Sequence, residues 1–67
     1  MQFVELTRKI DGDVIAINLA LVEVIAPEND GASIYFQGQE KPLRVSEDFI
    51  EIRKRLPSDY WFHIRKR

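Results

Sequence analysis

From Gln2 to Ile10 apolar and polar residues alternate, with Val4, Leu6 and Ile10 on one face and Phe3, Glu5, Thr7 and Lys9 on the other. Period-2 alternation with one polar face predicts a strand in a sheet that has one side in water. Asp11-Gly12 follows, and then thirteen residues, Val14 to Ala26, among which only Asn18 and Glu23 are polar. An Asp-Gly pair between two such runs predicts a tight hairpin, because a type I′ turn needs positive φ at both central positions. The flanking strands should therefore pair antiparallel. The apolar run is too short for a bilayer, which takes ~20 residues. It reads as two buried strands meeting at a polar joint.

Asn18 supplies the joint. Its side chain can cap a single helical turn over Asn18 to Leu21 by accepting from the amides that follow. Leu21 to Ala26 is then a third strand, ended by Pro27, which cannot donate to a ladder. Glu28-Asn29-Asp30-Gly31 reads as a hairpin loop, and Ala32 to Gln37 as a fourth strand with Ile34 and Phe36 on one face. Gly38-Gln39-Glu40 turns the chain into a short fifth strand, Lys41 to Val45, which Pro42 assigns to an edge.

The period then changes. Phe49, Ile52 and Leu56 recur at i, i+3 and i+7, predicting a helix over Ser46 to Leu56 with one stripe toward the sheet. Ser46 is the expected N-cap, so Ser46→Ala should cost about 1 kcal/mol. Glu47 and Asp48 suit the positive end of the helix dipole, and Arg53, Lys54 and Arg55 the negative end. Val45 and Ile50 would form a hydrophobic staple across the cap, and Pro57 stops the helix. Beyond it, Tyr60 to Ile64 has strand propensity. This stretch is expected to be a sixth strand that returns to the sheet, or an apolar patch that meets a second subunit.

The expected fold is α+β in a single domain, 1–67: a small, curved, mostly antiparallel sheet of five or six short strands with one helix (about 46–56) packed on it. Residues 58–67 form an aromatic and basic C-terminal strand or tail. So short a chain buries only about 60% of its unfolded surface, which leaves a thin margin of stability. It contains no cysteine, so disulfides cannot add to that margin, and self-association is the common remaining route. The N-terminus has no uninterrupted apolar stretch of the signal-peptide kind, so the cytoplasm is the expected compartment and no membrane partner is expected.

Charge changes the picture in one respect. The net charge of −1 hides an acidic body, with four cations against nine acids over residues 1–48, and a basic end, with six against two over 49–67. The inventory for catalysis is poor. His63 is the only histidine, which with no cysteine leaves no His/Cys metal site, and no base is placed for Ser33, Ser46 or Ser58. Gly12, Gly31 and Gly38 are spaced for turns and not for a phosphate loop. No enzyme activity, cofactor or metal is expected. The one constellation with a functional reading interleaves cations with aromatics: Arg53, Lys54, Arg55, Tyr60, Trp61, Phe62, His63, Arg65, Lys66 and Arg67. Cations neutralise phosphates and aromatic rings stack on bases, or both contact a protein partner.

Two resemblances follow from this order of elements. Leu6-Thr7-Arg8, the turn at Gly12, Asn18 before its Leu-containing corner, and the strand Val22-Glu23-Val24-Ile25 resemble the small flagellar FlbD-like proteins over residues of about 5–56. Those positions are mostly structural, so the resemblance implies a scaffold more than a chemistry. The order of strand, corner, strand, hairpin and helix leading into Trp61-Phe62-His63-Ile64-Arg65-Lys66 also looks like the first half of a LytTR-type DNA-binding domain, although the Arg-x-His-Arg order of that family is not reproduced. That resemblance implies DNA contacts at His63, Arg65 and Lys66. The expected function is a non-enzymatic binding or assembly module acting through a homodimer or a protein partner. A nucleic-acid-binding module is the second reading.

Overall fold

The structure is a computed structural model that describes residues 2–57. The first strand, β1 (Phe3–Thr7), pairs antiparallel with β2 (Val14–Asn18). Val4 and Leu6 are buried as the alternation requires, but Ile10 lies past the strand end and is 89% exposed. The connection is a four-residue loop, Lys9 to Gly12, instead of a two-residue turn. The Arg8 amide donates to the Asp13 carbonyl at 2.7 Å, and the Gly12 amide donates to the Arg8 carbonyl at 2.8 Å. Gly12 keeps the positive φ (77°) that made it a turn signal. Arg8 and Asp11 set the loop length, since the guanidinium grips both Asp11 oxygens at 3.1–3.2 Å through Nε.

Asn18 acts as expected. Its side chain accepts from the Ala20 amide at 3.0 Å and caps a 3-10 turn, Leu19–Leu21, that buries Leu19. From there β3 (Val22–Glu28) and β4 (Gly31–Phe36) form a hairpin, with a register shift between Val22 and Val24. Pro27 does not end β3. It sits inside the strand opposite Ala32, tolerated because among the described residues β3 pairs on one side only and a missing donor on the other flank costs that ladder nothing. The loop is accordingly just Asn29-Asp30.

The fifth strand is shorter than Lys41 to Val45: β5 is Leu43–Val45, paired with β4. It is not an edge. Arg8 bridges to Val45, with the Lys9 amide donating to the Arg44 carbonyl and the Ser46 amide to the Thr7 carbonyl, both at 2.9 Å. The five strands thus form two antiparallel ladders, β1-β2 and β3-β4-β5, hinged at that bridge, in place of a single sheet of five or six. The sixth strand proposed at Tyr60 to Ile64 lies outside the described residues.

The helix is shorter than Ser46 to Leu56. It is α1 (Phe49–Arg55), capped by Asp48, whose side chain accepts from the Glu51 amide at 2.8 Å. Ser46 is not the cap because the chain bends at Ser46 and Glu47, and the first backbone bond of the helix runs from the Ile52 amide to the Asp48 carbonyl. The staple fails for the same reason: Val45 is buried, while Ile50 is 63% exposed. Leu56, extended ahead of Pro57, closes the helix. Ile52 and Leu56 are buried and Phe49 packs against them, completing a core with Val4, Leu6, Ile17, Leu19, Ile25, Ala32, Ile34 and Val45. Burying each large side chain contributes about 1.5–3 kcal/mol. Ser33 is the one buried polar residue among those described, and its hydroxyl donates to Glu28 at 2.9 Å.

Candidate functional site

Of the ten cationic and aromatic candidates, the structure places three. Arg53, Lys54 and Arg55 form the exposed last turn of α1, where the helix dipole favours positive charge. Tyr60, Trp61, Phe62, His63, Arg65, Lys66 and Arg67 lie outside the described residues. Within the cationic turn, Arg55 is exposed but engaged by the fold. Its Nη1 donates to the Glu5 carbonyl at 2.9 Å and stands 3.5 Å from Glu47, and its Nε reaches Glu51 at 3.3 Å. Three acceptors already share this guanidinium, which makes Arg55 a structural cation.

Glu47 was expected to serve only the helix dipole, and it does more. Its carboxylate accepts from the Thr7 amide at 2.9 and 3.1 Å and from the Thr7 hydroxyl at 2.7 Å. Burial pushes the Glu47 carboxyl up, but the Thr7 amide and hydroxyl, its own amide and the Arg55 guanidinium more than offset this. The group is held below the ordinary glutamate range. Glu47 and Arg55 together occupy backbone groups on the flank of β1 that faces away from β2. The sequence did carry a signal for this: Glu47-Asp48 offers two acids where a helix needs one cap, leaving the other for a different partner.

Polar contacts elsewhere are of the same structural kind. Lys9 ties the first hairpin to the second through the Asp30 carbonyl at 2.6 Å and the Asp30 carboxylate at 3.2 Å. Hydrogen bonding to Lys9 holds the Asp30 carboxyl below its usual range, and hydrogen bonding to Arg8 does the same for Asp11. Among the described residues, no three His, Cys, Asp or Glu side chains converge as a metal cage would require. No helix among them is long and apolar enough to cross a membrane.

The surface feature that the packing leaves unexplained is apolar. Phe3 (54% exposed) and Val14 (67%) stand on the outer face of the β1-β2 ladder with Ala16, opposite the core-facing Val4, Leu6 and Ile17. Leu21 and Val24 are half-exposed at the start of β3. The exposure of Phe3 was legible in the alternation, but that of Val14 was not, since it opens a run that reads as core throughout. Compared with known proteins, the chain matches no family model, no curated protein and no solved structure.

Proposed function

We propose that this chain is a small, non-enzymatic binding or assembly module that acts by self-association or on a protein partner. The observation that carries this reading is the exposed apolar surface of the β1-β2 ladder at Phe3 and Val14. A domain of this size has little core to spare, and large apolar side chains left in water at both ends of one ladder face favour cover by a partner. In this reading the chain works as a homodimer in the cytoplasm, with Trp61 or Phe62 at or near the interface.

Nucleic-acid binding through the basic C-terminal end is the alternative, and the engagement of Arg55 weighs against it. Light scattering at micromolar concentrations tests the first reading, with twice the chain mass expected and a strictly monomeric mass overturning the homodimer. A salt titration tests the second. The expectation is weak, unselective DNA binding. Selective binding at physiological salt, weakening with a slope near 0.9 per neutralised phosphate and lost when Arg65, Lys66 and Arg67 become Ser, would instead establish the alternative.

A further inference from the structure

The flanks of the two ladders are not equally protected. On β1, the Arg8 amide bonds across to Asp13, so by the alternation of an antiparallel ladder the even residues of β1 bond to β2 and the odd ones point away. Those outward groups are occupied at Thr7, by Glu47 and by the Ser46 amide, and at the Glu5 carbonyl, by Arg55. The outer flank of β3 carries the devices that block pairing: Pro27, an irregularity beside Glu23, and the charge of Glu28. The outer flank of β2 has none of these. Its five residues, Val-Ile-Ala-Ile-Asn, contain no charge, proline, glycine or register shift. By the same alternation Val14 and Ala16 turn their backbone groups outward, as Asn18 does its amide, while the Asn18 carbonyl opens the 3-10 turn; among the described residues β2 pairs only with β1.

We infer that the β2 edge is the self-association surface, pairing antiparallel with β2 of a second copy about a two-fold axis at Ala16. This rests on the self-association reading above but assigns the pairing itself to β2 and not to Trp61 or Phe62. The second copy is the occupant that the chemistry of the strand fits. With Ala16 opposite Ala16, Val14 faces Asn18 and Ile15 faces Ile17, so all three outward-bonding positions find each other and no charge meets a like charge. On the core side Ile15, only partly buried in one copy, gains cover from the second copy's Ile17. On the outer side the second copy's Val14 extends the row begun by Phe3 and Asn18. Two ladders become one four-stranded sheet, β1-β2-β2-β1. Five residues per edge bury less than the about 800 Å² per partner of a stable interface, so the dimer is reversible and concentration-dependent.

The test uses the full chain in sedimentation velocity over a range of concentrations, with circular dichroism to confirm folding. Two variants act at the axis. Ala16→Lys puts two like charges opposite each other at an exposed position, and Ala16→Pro removes an amide that the β1-β2 ladder does not use. Trp61→Ala probes the C-terminal alternative. The expected result is a doubling of mass with concentration in the wild type and in Trp61→Ala, and a folded monomer in both Ala16 variants. The Val14 and Ala16 amides should also exchange more slowly with deuterium in concentrated than in dilute wild type. If the Ala16 variants still dimerise and Trp61→Ala does not, self-association stands but the β2 site is overturned. A wild type that is monomeric throughout overturns both. Concentration-independent protection of Ala16 in such a monomer would assign the edge to residues 58–67 of the same chain.

Discussion

Thr7 and Glu47, forty positions apart, are joined by three hydrogen bonds, two from the Thr7 amide and one from its hydroxyl. In an edge strand such an amide ordinarily goes to water or to a neighbouring strand. Here a carboxylate takes the place of the missing strand, and Arg55 holds the carboxylate from the other side.

The first prediction is that Glu47→Ala destabilises the fold by about 2 kcal/mol, the scale of a lost charge-assisted hydrogen bond with the donor left partly buried. The pH dependence has a definite sign. The folded-state value of Glu47 is depressed, so its contribution is complete above about 4.3, the ordinary glutamate value, and is lost as pH falls through the folded value. Asp11 and Asp30 titrate in the same direction at the surface. The difference in urea midpoint between wild type and Glu47→Gln, followed downward from neutral pH, therefore isolates Glu47. It should shrink with acid, and a difference that stays constant would refute the assignment.

Gly31 is expected to be irreplaceable. Its φ is +150°, and a Cβ there would collide with the Val45 carbonyl oxygen of the neighbouring strand. Gly31→Ala should lower the melting temperature sharply, whereas Gly12→Ala and Gly38→Ala, with open space around the added carbon, meet only the strain of a positive φ. Equal losses at the three positions would mean that β4 and β5 do not approach as closely as described.

The helix cap provides a direct comparison. Asp48→Ala should cost about 1 kcal/mol and Ser46→Ala much less, because Ser46 contributes only its backbone amide to the bond with Thr7. Denaturant melts of the two variants decide between them. The reverse order would return the cap to Ser46 and lengthen the helix.

Helix phase is tested by neighbours two residues apart. Ile52 is fully buried and Ile50 largely exposed, so Ile52→Ala should cost about 2–5 kcal/mol and Ile50→Ala no more than about 0.5. Similar losses would show that both faces of α1 are covered.

What could be read in the sequence divides along physical lines. Local signals held where the partner is local: the alternation of Val4 and Leu6, the Asn18 cap two residues from its amide, and Pro57 ending the helix. They failed where a distant group intervened. Ser46 and Glu47 look like the start of a helix, but β1 claims the amide of one and the carboxylate of the other, and propensity cannot register a claim from forty positions away. Pro27 reads as a strand end only if both flanks of β3 are paired, which depends on tertiary topology. Of the candidate site, Arg55 shows the same limit. Its sequence context is a helix-terminal cation, and its role is set by the Glu5 carbonyl fifty positions earlier.

The Arg8–Val45 bridge has a kinetic consequence. Each ladder contains a local hairpin that can close early, but the bridge encloses a loop of more than thirty residues, whose closure entropy must be met before its two hydrogen bonds form. The bridge and the Glu47 clamp beside it are therefore expected to assemble after the folding transition state. Substitutions there should speed unfolding while leaving the folding limb of a chevron nearly unchanged. The hinge between the ladders is then what sets the lifetime of the native state, while the hairpins set how fast it is reached.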